Sequence, residues 1–537
     1  MKKVFYLFLA VMMIPNVLLV LSEHQTFWTA ATNLLLPLGF YWLAAASNRR
    51  LGVTIWGLFP FVFMAAFQIV LTRLFGQSII SVDMFLNVVT TNMGEITELL
   101  GNLVPAVLLV FVLYIPVLVM AAMAISRRKQ LKPSFLRRQR RIAAIVASLG
   151  VVTALIAVNG RKPMRLIDDI FPVNVTYNLC LAVKRYADVK NYPETSASFR
   201  FNALRLDDDS IKGRQVHVLV IGETARAENF GLLGYNRNTT PLLSRTDGVV
   251  AFTNAYSESN TTHKSVPMLL TAVSAIDFDS LYHQRGIITA FKETGFRTAF
   301  ISNQRRNGSF IDFLGEEADH CKFIRDDFPL GENVLDGELL PRLQREINSD
   351  VDKPLLVVLH CYGSHFNYRE RYTDSFSRFK PDDATEAKVA NKESLVNAYD
   401  NTIVYTDHLL SSIIDMLAKS GARATMVYTS DHGEDLYDDG EHFLHSSMVP
   451  SDHQLHVPLV VWISRQYAES RPEIVEALHA NSRSEVSTSL SLFHSLMQMA
   501  AIGSRHVNFT HSFASRKYKS GRRMYIDDRN KANYLIP

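Results

Sequence analysis

An aspartate and a histidine stand side by side at Asp431 and His432, directly after the apolar run Ala424–Thr429 and just before Gly433 and Glu434. Adjacent ligand-type side chains at a strand end can both reach one cation because the chain is turning there, and the glycine that follows permits the turn. Two more apolar runs end in the same kind of group. Gln215–Ile221 leads into Gly222 and Glu223, and Pro354–His360 ends in His360, with His365 soon after it. A lone histidine or carboxylate at a strand end is ordinarily structural. Several at one edge of one sheet point instead to a metal site. Glu, Asp and His supply the nitrogen and oxygen donors of zinc, typically with a position left open for substrate. His442 and His445 follow in the loop LYDDGEHFLH and offer partners for a second metal or a phosphate; His442 alone reads as an exposed loop histidine.

Such a centre needs a nucleophile. The segment ESNTTHKSVPM (258–268) offers Thr261, Thr262 and Ser265 ahead of a helix whose first turn includes Pro267. Partial positive charge at a helix N-terminus favours an oxyanion and a phosphate, and metal coordination would lower the hydroxyl pKa further. The commoner role of Ser and Thr there is to cap the helix. Spacing alone does not choose among the three.

These groups must be held by a sheet. The runs Gln215–Ile221, Arg297–Ile301, Pro354–His360, Ala424–Thr429 and His456–Ile463 are mostly apolar, as strands buried on both faces should be. Helical patterns at Gly286–Thr294 and Leu395–Lys419 lie between them. The alternation predicts a mostly parallel, wound α/β sheet over residues 206–537, with helices on both faces and its site at the C-terminal strand ends. Residues 159–205, with Pro172 and Pro193, read as a connector along a membrane surface.

The first 158 residues are different. They carry 13 Lys/Arg against 4 Asp/Glu, a balance of +9, whereas the rest carries 43 against 48, or −5. Nothing in the acidic remainder suggests a nucleic-acid footprint, 20% charged residues without a long polar tract exclude extensive disorder, and three cysteines exclude a disulfide scaffold. Five apolar runs, Val4–Leu21, Phe27–Ala46, Gly52–Leu71, Leu103–Ile125 and Ile142–Val158, each approach the length that crosses a bilayer and contain no charged residue. Lys2/Lys3, Arg49/Arg50 and the eight Lys/Arg within 127–141 fall two spans apart, so all three clusters lie on one face. By the positive-inside rule that face is cytoplasmic, which puts the C-terminal domain outside, in the periplasm of a bacterial cell. Between two spans, 81–102 reads as an amphipathic interfacial helix with Asn87, Thr91 and Glu95 on one face. That stripe is equally well a solvated polar face.

Taken together, the motifs VLVIGETARAENFGLLGYNRNTTP (218–241), TTHKSVPM (261–268), HCYGSHFNYRERY (360–372), YDNTIVYTDHLL (399–410), SDHGEDL (430–436) and DMFLNVVTTNMGEITELL (83–100) resemble those of the membrane phosphoethanolamine transferases of Gram-negative bacteria. That family lies within the alkaline phosphatase/sulfatase superfamily and includes the lipid A-modifying enzymes of polymyxin resistance. The resemblance implies five transmembrane helices plus an extracytoplasmic sulfatase-like α/β domain at the inner membrane. It implies a zinc set of Glu223, Thr262, Asp431 and His432 holding one or two ions, with Thr262 as nucleophile. It casts His365 and His445 as phosphate or second-metal ligands, and Asn87, Thr91 and Glu95 as holding the head group. Phosphatidylethanolamine would be the donor, and lipid A or the lipopolysaccharide core the acceptor. Two departures stand out: three cysteines cannot supply several disulfides, and Asn307, preceded by Arg305 and Arg306, occupies the place where the family often has a phosphate-binding Lys. A phosphoglycerol transferase would share much of this pattern. A sulfatase would need a Cys or Ser in a C/S-x-P-x-R context, absent around Thr262. A receptor with a degenerate hydrolase domain would tolerate loss of the ligand residues, which are all present.

Overall fold

The structure, a computed structural model, describes residues 1–23, 25–75, 80–90, 93–206 and 213–535, without the side chains of 71, 73–75, 87–90 and 93–103. The chain divides into two compact units: Met1–Leu86 with Leu99–Lys184, and Asn87–Glu98 with Arg185–Pro537.

The first unit is helical. Among the described residues, four helices are long and apolar enough to cross a membrane: Lys2–Ser22, Phe27–Ser47, Val104–Ser126 and Pro133–Val158. A fifth span exists if the pair Leu51–Gly57 and Phe59–Val70, bent by 58°, counts as one. These are the five apolar runs of the sequence. Their outer surfaces are apolar and open, as at Val112 (71% exposed) and Leu155 (62%), the reverse of a water-facing helix. Phe27–Ser47 and Pro133–Val158 pack unusually close. A Cβ on Gly39 would sit 2.7 Å from the Ala147 backbone, and one on Gly150 would sit 2.7 Å from that of Leu36. Small residues allow that approach where lipid offers no hydrophobic drive between helices. Buried Thr32 donates to Thr153 across the pair at 3.1 Å.

The segment 81–102 is not one interfacial helix. Helix Val82–Thr90 is followed by Met93–Ser126, whose first turns run on into the apolar span. The side chains of Asn87, Thr91 and Glu95 lie outside the described residues.

The second unit is built on a sheet of seven strands: β1 (Gln215–Gly222), β2 (Val249–Phe252), β3 (Arg297–Ser302), β4 (His320–Phe323), β5 (Leu355–His360), β6 (Arg423–Ser430) and β7 (Leu459–Ile463). Their order is β2-β7-β6-β1-β5-β3-β4. β1 pairs in parallel with β5 and β6, and β3 in parallel with β5 and β4. β7 alone runs against its neighbours, β6 and β2. The chain leaves the end of β6, winds through 431–458 at that same edge, and can only re-enter the sheet running back. This explains why the sheet is mixed rather than wholly parallel; His456 lies before the strand, in an isolated bridge with Tyr256.

Central strands β1, β5 and β6 are buried along their whole length, as their continuous apolar runs require. Helices Ile287–Glu293 and Lys392–Lys419 match the two helical patterns of the sequence. One continuous apolar core extends from Tyr192 to Ile526. All three cysteines are free thiols: Cys180 exposed, Cys321 half-buried and Cys361 buried.

Candidate metal centre and hydroxyl nucleophile

Register places the chemistry. Ile221 of β1 lies level with His360 of β5 and Thr429 of β6, and Gly222 with Ser430. The residues that follow, Glu223 and Asp431, therefore emerge together at the C-terminal edge, as wound sheets arrange their sites. Donor atoms of Glu223, Asp431 and His432 lie within 4.8 Å of one another, and all three side chains are buried. His432 Nε2 stands 3.6 Å from Glu223 Oε1 and 3.3 Å from Asp431 Oδ2.

Each side chain is aimed by its own backbone or that of its neighbours. His432 Nδ1 donates to the Gly433 carbonyl at 2.9 Å, so the Nε2 lone pair faces the two carboxylates. Asp431 Oδ1 accepts from the N–H groups of Thr224 (3.0 Å) and His432 (2.8 Å), while Oδ2 is buried with no hydrogen-bond partner. Two carboxylates and an imidazole lone pair converging on one buried point repel one another unless a cation stands between them. Burial, then the nearby Asp431 carboxylate, push the Glu223 pKa well above the usual range. Burial also holds His432 down to about 4, leaving its ring neutral and its nitrogen free to bind a metal. The donor set, its orphaned oxygen and its tautomer fit zinc.

Of the three candidate hydroxyls, the structure brings one to this group. Thr262 opens the helix Thr262–Leu269, and its Oγ1 lies 3.2 and 3.3 Å from the Glu223 oxygens and 3.3 Å from His432 Nε2. Thr261 is the N-cap residue without a side-chain cap bond, and its hydroxyl faces Ser259 Oγ instead. Ser265 is fully buried and its Oγ has no hydrogen-bond partner.

The flanking histidines divide. His445 packs its ring 4.3 Å from that of His432, with Nδ1 3.6 Å from Glu434 Oε2. His365 donates from Nδ1 to the Phe366 carbonyl at 2.6 Å and stacks on Tyr362. Burial lowers the pKa of both. His360 stays apart from the donor group, with Nδ1 on Ser302 Oγ at 3.1 Å. His442 is the exposed loop histidine expected, paired with Asp439.

One sequence reading needs correction. Gly433 is not required by a left-handed turn, since its φ is not among the positive ones. It is required by crowding, because a Cβ there would meet the His453 carbonyl oxygen at 2.2 Å. The glycine with the conformational role is Gly363, at φ +49, where a Cβ would lie 2.6 Å from the Glu223 carbonyl oxygen. Arg305 and Arg306 are also committed elsewhere: Arg305 donates to the Phe328 and Pro329 carbonyls, and Arg306 pairs with Glu316 and Asp326.

The residues that sequence reasoning missed are supports. Gln304, just past β3, donates to Glu223 Oε2 and the Cys361 carbonyl, both at 3.1 Å. Thr224, at φ +61, donates its hydroxyl to Glu223 Oε1 at 2.8 Å, and Tyr399 donates to the Thr224 carbonyl at 2.8 Å. Thr224 adjoins Glu223 in sequence and Gln304 stands at a strand end, the two signals that could have singled them out.

Residues 215–502 match the family model described as Sulfatase, and 53–187 match that described as Phosphoethanolamine transferase EptA/EptB. Phosphoethanolamine transferase EptA of Escherichia coli K12 is 31% identical over 303 residues, 55% of each chain. The chain thus spans about half the length of the curated relatives it matches. The integral membrane lipooligosaccharide phosphoethanolamine transferase A of Neisseria meningitidis superposes with a TM-score of 0.73 at 21% identity, covering 95% of this chain and 97% of that one. The C-terminal periplasmic domain of EptC from Escherichia coli, solved in complex with Zn, gives 0.55 at 24% identity, covering 62% of this chain and 94% of that one. Apolar helices followed by this mixed-sheet domain make the protein a membrane protein with a soluble C-terminal domain, and over more than half its length, from Gln215 to Ile502, the chain belongs to the sulfatase family.

Proposed function

We propose that this protein is a zinc-dependent phosphoethanolamine transferase, moving phosphoethanolamine from phosphatidylethanolamine to lipid A or the lipopolysaccharide core through a phospho-threonine intermediate. The observation that carries the reading is the Thr262 hydroxyl, held within 3.3 Å of both a carboxylate and a neutral imidazole nitrogen, beside an orphaned carboxylate oxygen. The E. coli relative and the meningococcal structural neighbour are both named phosphoethanolamine transferases.

Glu223, Asp431, His432 and Thr262 would hold the zinc, which when bound lowers the hydroxyl pKa and offsets charge on the phosphoryl oxygens. Thr262 Oγ1 attacks the phosphorus of the donor, and the bond from phosphorus to the glycerol oxygen breaks. Diacylglycerol leaves with the proton the hydroxyl gives up. The acceptor oxygen then attacks the same phosphorus, the bond to Thr262 breaks, and the acceptor's own proton passes to the threonine oxygen. His445 and His365 are read as ligands of phosphoryl oxygens or of a second ion, a role supported by their burial near the group. Asn87, Thr91 and Glu95 complete the reading as head-group contacts. Purified enzyme should release diacylglycerol from phosphatidylethanolamine only with its acceptor or with stoichiometric enzyme. Lipopolysaccharide from cells with the gene should carry the added phosphoethanolamine mass, and its absence from both assays would sink the proposal.

The chain belongs in the inner membrane with its N-terminus cytoplasmic, a reading supported by the spacing of the Lys/Arg clusters. A periplasm-dependent reporter fused after Val158 should be active and one fused near Leu131 silent. Activity at Leu131 would reverse the orientation.

A further inference from the structure

Beside the donor group, one loop carries a cationic arrangement that the transfer chemistry leaves unused. The segment Tyr362–Ser364 wraps Glu223: Gly363 abuts its backbone, and the Ser364 N–H donates to the Glu223 carbonyl at 2.9 Å. On that loop, Tyr362 gathers two guanidinium groups and a neutral imidazole. The Arg325 guanidinium lies 3.7 Å from its ring centroid, the Arg371 guanidinium 4.4 Å, and the His365 ring stacks at 5.0 Å. Arg325 is 8% exposed and Arg371 4%, so both are more than nine-tenths buried.

Arg371 is tied into the loop, donating from Nε to the His365 carbonyl at 2.9 Å. Arg325 is not. Its Nε is enclosed without a hydrogen-bond partner, and among the described residues no carboxylate pairs with it. The acids nearest it in sequence are engaged elsewhere, Asp326 with Arg306 and Asp327 with Lys322. Asp336, beneath the loop, accepts from the N–H groups of Tyr362 and Gly363. A buried guanidinium whose charge meets only an aromatic face is costly to keep. An anion arriving beside it would offset that cost. The stretch where the resembled family often has a phosphate-binding Lys carries Asn307 instead, and the two arginines before it, Arg305 and Arg306, are committed.

We propose that Arg325, stacked on Tyr362 beside Arg371, forms a phosphate-holding subsite adjoining the Glu223–Asp431–His432 group. A planar fork fixed against a ring is pre-organised for two parallel hydrogen bonds to phosphate oxygens. The inference rests on the transferase reading, in which donor and acceptor both bring phosphate: the phosphodiester of phosphatidylethanolamine and the phosphate groups of lipid A.

Steady-state transfer by the full-length zinc enzyme in mixed micelles tests it, with phosphatidylethanolamine and lipid A varied in turn. Arg325→Met should raise the KM of one of the two lipids by roughly 10- to 100-fold, the worth of a charge-assisted pair, with a much smaller change in kcat. A rise for phosphatidylethanolamine assigns the subsite to the donor phosphodiester, and a rise for lipid A to the acceptor phosphate. Arg325→Lys, which keeps charge without the fork, should recover part of the lost affinity. Both KM values within twofold of wild type would overturn the proposal. So would a fall in kcat alone, which would make Arg325 a prop for the loop. A wild type that releases no diacylglycerol would instead defeat the transferase reading itself, and the subsite with it.

Discussion

Thr262→Ala is expected to lower turnover of phosphatidylethanolamine by roughly 10³-fold or more, the scale of losing a covalent nucleophile. The protein should stay folded, because the side chain is only half-buried and caps nothing. Wild-type enzyme given donor without acceptor should accumulate one phosphoethanolamine adduct, and peptide mass spectrometry should map it to Thr262. Thr262→Ser should keep partial activity, since a hydroxyl survives but its rotamer is less restricted. The neighbouring hydroxyls sharpen the test. Thr261 is engaged with Ser259, and Ser265 is sealed in the interior. An adduct on either would move the nucleophile although the reaction class would stand, and a glycerol phosphate mass would change the donor.

Alanine at Glu223, Asp431 or His432 should cost at least ~100-fold in activity and strip zinc from the purified protein, read by elemental analysis. Zinc affinity should also depend on pH with a definite sign. Glu223 holds its proton to well above the usual carboxylate range, so a metal ion must displace that proton to bind. His432 remains neutral down to about 4 and competes little at neutral pH. Affinity should therefore rise with pH and weaken as it falls, by up to about 10-fold per unit where one proton is displaced. Affinity independent of pH, or an alanine variant that retains full zinc, would take that residue out of the donor set.

Much of this was legible in the sequence because it depends on local pattern. Continuous apolar runs announce central strands, and β1, β5 and β6 fall within a residue or two of their sequence bounds. Strand ends then announce Glu223, Asp431 and His432. What stayed hidden depends on long-range geometry. The edge strands β2 and β4 are four residues each, too short for a period to show. The reversal of β7 follows from where the 431–458 loop must return, which no composition records. The choice of Thr262 over Thr261 and Ser265 required helix orientation, since all three share one turn. Gln304 and Arg325 act through contacts with residues distant in the chain; Gln304's place at a strand end is a signal, but nothing beside Arg325 in sequence marks it out.

The free thiols described above reach beyond their count. Cys180, Cys321 and Cys361 join nothing, so no disulfide helps to hold the core from Tyr192 to Ile526. A fold assembled in this way makes no demand on the electron balance of its surroundings. It requires no oxidising catalyst to mature and no shuffling of mispaired bonds, and thiol reductants leave its architecture without a target. The soluble domain can therefore be made in a reducing cytosol as readily as beyond the membrane, and its stability there is set by packing.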